Sequence, residues 1–442
     1  MLSFDGFCDI IALMLLLQQI YGKGKSMYEI VTLDNGIRVI ADNIPHLKSV
    51  SIGVWIGNGS RYEKREENGM SHFIEHMLFK GTHKRTAKQI ACEIDSLGGM
   101  INAFTAREYT CYYTKTLDAH ACVAMDVLSD MLFNSVLREE DMNLERSVIL
   151  EEISMYEDSP EDLVYDLASE AVWGDTPLGR TVLGTKESLS LITPQTMCEY
   201  IKTHYTAKNI IISVAGNMCD GFFDLLNDYF GKEKLSGTLP EMEKGIYVPK
   251  NVVRTKDIEQ VQLVASFKGI DVYDEAVIPL LVFNNVFGNG MSSRLFQNIR
   301  EKNGLVYSIG AGHGSYIDCG TFDISAGMNP DKIARVCELI CDEINKIKAD
   351  KLTAEEVNSS KEQLKGSYIL SAESTNARMQ GAGRSMLLNK KLYTQEEMLA
   401  KIDAVTTDDV AQIIDTIFCA DTLAVTAVGA VDSVSGLFSG LK

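Results

Sequence analysis

The chain has 442 residues, 45% apolar and 8% aromatic, a globular composition long enough for two cores of about 200 residues each. A formal net charge of −19, from 42 basic and 61 acidic residues, argues against nucleic acid as a partner and leaves room for cationic substrates. Ten cysteines are scattered without a CxxC pair, the closest being Cys337 and Cys341, which fits a reducing, cytoplasmic compartment better than a disulfide framework.

The stretch CDIIALMLLLQQI (8–20) is apolar enough for a signal peptide. However, Asp5 and Asp9 stand at its start, no Lys or Arg precedes it, and no small-residue cleavage site follows. It is also too short to span a bilayer, and no other segment reads as transmembrane. After Met27, YEIVTLDNGIRVIAD reads as strand, Asn-Gly turn, strand. Folded protein is therefore expected from about residue 27, with 1–26 as an extension upstream of it.

GMSHFIEHMLFKGT (69–82) follows, and 69–80 is expected to be helical. On a helical wheel Met70, Phe73, Ile74, Met77 and Leu78 form an apolar back, while His72 and His76 share the opposite face with Glu75 beside them. Histidines at i and i+4 can grip one metal ion, and the carboxylate at i+3 is placed to take a proton from metal-bound water. An H-x-x-[DE]-H pattern also arises by chance about once in seventy such chains. INAFTAREYTCYY (101–113) alternates as a strand after a Gly-Gly turn.

EEDMNLERSVILEEISM (139–155) reads as a helix whose apolar stripe holds Met142, Val148, Ile149, Ile153 and Met155, with Glu145 and Glu152 in its middle. A carboxylate buried there needs a metal or a buried Arg or Lys. With the two histidines it completes a His2Glu site, His72, His76 and Glu152, whose fourth position stays open, the pattern of a catalytic zinc ion. Glu75 would be the general base and Glu145 would hold an imidazole N–H. In YEDSPEDL (156–163), Ser159, Pro160 and Asp162 suit the N-cap, N1 and N3 positions of a new helix, a reading preferred to an acidic subsite.

The rest of the chain repeats this pattern. LITPQTMCEYIKTHYTAKNIIISVAGN (191–217) aligns without gaps on AVTTDDVAQIIDTIFCADTLAVTAVGA (404–430) at an offset of 213, with Thr193 and Thr406 as N-caps. SVLREEDMNLERSVILEEI (135–153) aligns on DKLTAEEVNSSKEQLKGSY (350–368) at an offset of 215. Duplication is the simplest account. The expected class is α+β, two homologous domains, each a sheet with helices packed on one face. The expected boundaries are 27–230, a linker at 231–253 within the Gly-, Pro- and charge-rich GKEKLSGTLPEMEKGIYVPKN, and 254–442. At the 215 offset, Phe287 and Met291 stand where His72 and His76 do.

The H-x-x-E-H signature, followed after about 60 residues by LERSVILEEI, resembles the pitrilysin/insulysin family of inverted-zincin metallopeptidases. The resemblance is strongest to its two-domain members similar to the mitochondrial processing peptidase, and it covers 27–442. It implies a zinc-dependent endopeptidase with one Zn2+ per chain, in which Glu152 is the third ligand, with zinc in the first copy and none in the second. The alternative is a non-catalytic or partner-dependent subunit of a processing or chaperone-like assembly. The resemblance further implies that Asn102, Ala103 and Phe104 line an edge strand that pairs with the substrate backbone. Arg300 and Tyr307, in SSRLFQNIREKNGLVYSIG (292–310), match the family's substrate-binding pair, which steadies the oxyanion. Without the resemblance they read as a helix-terminal Arg and a strand Tyr. Implied partners are peptides or unfolded polypeptide segments in a closed chamber and a second subunit, as homodimer or related heterodimer, with no nucleic acid and no membrane.

Overall fold

The computed structural model describes residues 28–388 and 392–442; the expected upstream extension lies outside the described residues. Two mixed sheets organise the chain. The first joins β1 (Glu29–Thr32), β2 (Arg38–Asn43), β3 (Ser49–Ile56), β4 (Met100–Thr105), β5 (Thr110–Leu117) and β6 (Ile210–Gly216) in the order β1-β2-β6-β3-β5-β4. The second joins β7 (Val252–Thr255), β8 (Val261–Lys268), β9 (Val306–Ser315), β10 (Gly320–Met328) and β11 (Ala424–Gly429) in the order β7-β11-β8-β10-β9. In each sheet one pair is parallel, β2 with β6 and β7 with β11, and every other pair is antiparallel. The second sheet thus repeats the first from β2 onward, and β4 and β9 occupy equivalent edges.

Local chemistry sets the helices. Thr193 and Thr406 accept the N–H groups of Thr196 and Asp409 at the starts of Pro194–His204 and Thr407–Ile417. Ser159 ends the helix Glu139–Asp158 and caps the helix Pro160–Trp173, accepting the Asp162 N–H, with Pro160 at N1. The repeat offset is not constant. Met70 and Val277 open the corresponding helices Met70–Leu78 and Val277–Phe287, so Phe287 is a helix C-terminus and Met291 lies in the turn beyond it. Those two residues are therefore not the structural counterparts of His72 and His76. Residues are missing from the second copy between strand and helix, and a fixed offset slips there.

Each sheet is apolar on both faces. In β3, Val50, Ile52, Val54 and Ile56 join the core made with the helices of their own half, including Phe73, Ile74 and Met77. The alternate residues point the other way, toward the helix Thr375–Leu387 from the second half. Trp55 packs there with Met379, Ala382 and Met386, and Ser51 Oγ lies 2.8 Å from Thr375 Oγ1. The approach is close: a Cβ on Gly383 would lie 2.2 Å from Trp55 Nε1. Reciprocally, Pro160–Trp173 from the first half packs Val164, Leu167 and Ala168 on Val264 and Val428 of the second sheet. The halves exchange helices, and the uncovered face of each sheet is closed by the other.

A buried ion-pair bridge reinforces this junction. Arg61, fully buried, bonds Glu108 and Asp318 at 2.5 Å each and donates to the Glu243 carbonyl at 3.0 Å. Glu108, itself buried, also accepts the Ile317 N–H at 3.0 Å. Removing one member strands a charge without water. Arg61→Met is expected to cost about 3–5 kcal/mol, read as a lower midpoint in thermal or urea unfolding; a midpoint within a degree of the parent would refute the role given to the bridge.

Candidate active site

The motif helix Met70–Leu78 starts from Gly69, whose φ of 90° is left-handed. A Cβ there would lie 2.7 Å from the Leu183 carbonyl oxygen. The buried Glu63 carboxylate accepts the N–H groups of Gly69 and Ser71 at 2.8 and 2.7 Å, placing a negative group at the positive end of the helix. Met70, Phe73, Ile74, Met77 and Leu78 are buried, which turns His72 and His76 toward the neighbouring helix Glu139–Asp158.

Glu152 meets them there. Its Oε2 lies 3.7 Å from the Nε2 atoms of both His72 and His76. The ligand atoms of these three residues all fall within 4.8 Å of one another. At 3.7 Å they converge without hydrogen-bonding each other. Two ligands about 2.1 Å from a tetrahedral zinc ion stand about 3.4 Å apart, so the donor set and spacing fit one Zn2+. Burial, then the neighbouring His76, push the His72 imidazole down to about 3, which keeps it in the neutral form that a metal requires. Burial also raises the Glu152 carboxyl, against the pull of His76.

Glu145, one of the buried residues of its helix, lies between two partners. Its Oε2 is 3.0 Å from His76 Nδ1, and its other oxygen pairs with the Lys80 ammonium. An ionised Glu145 accepting from Nδ1–H leaves Nε2 as the lone-pair nitrogen, directed at the triad. Both outcomes open for a buried carboxylate on this helix, a metal centre and a lysine, therefore occur, on different glutamates. Glu75 is half-buried, and Thr105 Oγ1 donates to its Oε2 at 2.5 Å. Burial raises its carboxyl, opposed by the Thr105 bond and His76.

The apolar stripe of the Glu139–Asp158 helix is only partly buried. Met142 and Ile149 are in the core, whereas Val148 and Met155 are 49% and 61% exposed, as is Leu144 at 68%. Val148 and Met155 lie one turn either side of Glu152, so the helix presents apolar surface to solvent beside the ligand.

The remaining residues singled out from the sequence occupy two edges. Asn102, Ala103 and Phe104 lie on β4, whose only strand partner among the described residues is β5. The Asn102 side chain accepts the Ala103 N–H at 2.9 Å, and Phe104 packs edge-on against Trp55 with centroids 5.7 Å apart. Arg300 is in the π-helical turn Phe296–Glu301 and Tyr307 is near the start of β9. The guanidinium lies 5.9 Å from the Tyr307 ring centroid and 4.7 Å from that of Phe296. Tyr307 is 69% exposed. Among the described residues neither bonds to His72, Glu75, His76 or Glu152 of the same chain. Sequence reasoning did not single out Glu63, Lys80 or Thr105; the signal was faint, a lysine four residues after His76 and a threonine closing the INAFT strand.

The described residues contain no second cluster of three or more ligating side chains, and no helix long and apolar enough to cross a membrane. The model of the insulinase family (peptidase family M16) matches residues 38–186, and that of the peptidase M16 inactive domain matches 191–364. A zinc protease of Bacillus subtilis, YmxG, is 43% identical over 390 residues, spanning 88% of this chain and 95% of that one. A zinc protease of Streptomyces coelicolor is 37% identical, spanning 86% and 85%. A peptidase M16 inactive domain from Pseudomonas fluorescens superposes with a TM-score of 0.84 at 18% identity, over 92% of this chain and 99% of that one. A Helicobacter pylori protease gives 0.82 at 22%, over 91% and 99%. At these identities the structural likeness is one of fold. With a His2Glu centre in its first half and these relatives along most of its length, the chain belongs to the insulinase family of zinc metalloproteases.

Proposed function

We propose that the protein is a zinc endopeptidase that cuts peptides or unfolded polypeptide segments, with Glu75 as its general base. The observation that carries this is the convergence of two imidazoles and Glu152 on one point, with a separately anchored carboxylate on the same helix. Zinc at such a site supplies Lewis acidity, lowering the pKa of water and polarising a carbonyl. The chain supplies the rest. Glu75 takes the proton of the attacking water and returns it to the leaving amine. Glu145 fixes the His76 tautomer. The open edge of β4 offers backbone groups to an extended peptide, with Asn102, Ala103 and Phe104 along it. Exposed Val148 and Met155 beside Glu152 suit apolar side chains, which unfolded segments present.

Arg300 and Tyr307 are assigned to binding the substrate backbone and steadying the oxyanion. Their exposure and separate edge support a role in trans, completing the zinc site of a second subunit around a closed chamber. The cysteines of the described residues are all free thiols, which supports a reducing, cytoplasmic setting.

Purified protein is expected to hold about one zinc per chain, and His76→Ala to lose both metal and peptidase activity; stoichiometric zinc in that variant by elemental analysis would refute the ligand set. Glu75→Gln should keep zinc while turnover falls by about two to four powers of ten, whereas Glu152→Gln should weaken metal binding. Loss of zinc from Glu75→Gln, with activity regained on adding zinc back, would exchange the two roles. The subunit arrangement is tested by mixing the inactive variants Glu75→Gln and Tyr307→Phe. After subunit exchange, mixed dimers should recover up to about one intact site, because both lesions can fall on the same site. No recovery despite demonstrated exchange would place Tyr307 in cis or outside catalysis.

A further inference from the structure

The edge strand and the catalytic base meet at one residue. Thr105 is the last residue of β4, paired with Thr110 of β5, and its hydroxyl donates to Glu75 Oε2 at 2.5 Å. It is the only hydrogen-bond donor to Glu75 among the described residues. The floor around the carboxylate is apolar or aromatic: Cys111, Tyr112 and Tyr205 are buried and close enough for the Glu75 charge to add to the effect of burial on them. Oε2 is engaged by this bond, and Oε1 has no hydrogen-bond donor among the described residues.

We propose that Thr105 is a positioning residue that fixes the Glu75 carboxylate and ties its alignment to occupation of the β4 edge by substrate backbone. This rests on the reading of Glu75 as base and of β4 as the peptide-binding edge. A peptide added along β4 orders the strand up to its last residue, and the Thr105 hydroxyl passes that order to the base. Binding remote from the scissile bond is thereby converted into turnover rather than into affinity.

The test uses the zinc-loaded, full-length protein and three variants: Thr105→Val, which keeps shape and strand preference without the hydroxyl; Thr105→Ser, which keeps the hydroxyl; and Thr105→Ala as a second hydroxyl-free form should Val disturb the fold. Zinc content should stay near one per chain in all three. In Thr105→Val and Thr105→Ala, kcat is expected to fall about ten- to hundredfold with KM within about twofold, and Thr105→Ser to restore most of it. Lengthening a peptide along β4 should raise kcat in the parent and not in Thr105→Val. A readout independent of turnover is the binding of a phosphinic peptide, whose oxyanion mimics the tetrahedral state and meets the protonated Glu75. Its affinity should fall in Thr105→Val, while that of a peptide with a non-cleavable bond stays unchanged. Parent-like kcat in Thr105→Val, or equal losses in Thr105→Ser and Thr105→Val, would overturn the positioning role and leave the peptidase reading standing. A parent protein that holds zinc yet neither cleaves peptides nor binds the phosphinate would overturn both.

Discussion

A sheet with two apolar faces cannot remain half covered in water, and this constraint governs the molecule. Helices of its own half cover one face of each sheet; the other receives a helix lent by the partner half, Thr375–Leu387 on the first sheet and Pro160–Trp173 on the second. The metal centre is built into this exchange. Glu152 stands on the helix that runs, through the shared cap Ser159, directly into the helix buried on the second sheet. The helix that carries it is therefore held from both ends: at one by packing against the motif helix, at the other by the junction of the halves. A helix anchored in this way sets the backbone position of the ligand independently of the metal, which favours a preorganised site.

Polar groups around the centre divide the labour by burial. Glu63 is sunk at the helix N-terminus and serves the backbone. Glu145 is buried but doubly partnered, by Lys80 and His76. Glu152 and Glu75 are less buried; Glu152 turns Oε2 to both imidazoles, and Glu75 accepts the Thr105 hydroxyl. Four carboxylates within a few turns of one another thus act differently because each meets a different set of donors and a different amount of water. Nearby, Arg61 is another buried charge that is tolerable only because acids from both halves reach it.

Much of this was legible in the sequence, for identifiable reasons. The i, i+4 spacing of His72 and His76 and the wheel position of Glu152 are local properties of two helices, and helix geometry carries them directly into space. Duplication was visible because capping threonines and strand glycines recur. What was not legible depends on contacts between distant segments. An amphipathic pattern shows that a helix has a buried face but not which sheet covers it, so the exchange of helices was not visible. For the same reason Val148 and Met155 read as core, although no element among the described residues covers them. The fixed repeat offset failed between β8 and the following helix, where a shorter connection moved Phe287 to a helix end. Thr105 was hidden because a strand-end threonine has no distinctive pattern until its partner is in place.

The exchange of helices also bears on how such a chain could arise. A polypeptide of half the length would hold one sheet, one set of covering helices and one helix with nowhere of its own to pack. It could satisfy the same demand by pairing with an identical copy about a two-fold axis, each lending its surplus helix to the other. Fusing two such genes would preserve every contact while making the association permanent and independent of concentration. It would also free one copy to lose its metal ligands while the other kept them. On that view the asymmetry between the two halves, with ligands converging in one alone among the described residues, is a freedom that covalent linkage conferred on an originally symmetric pair.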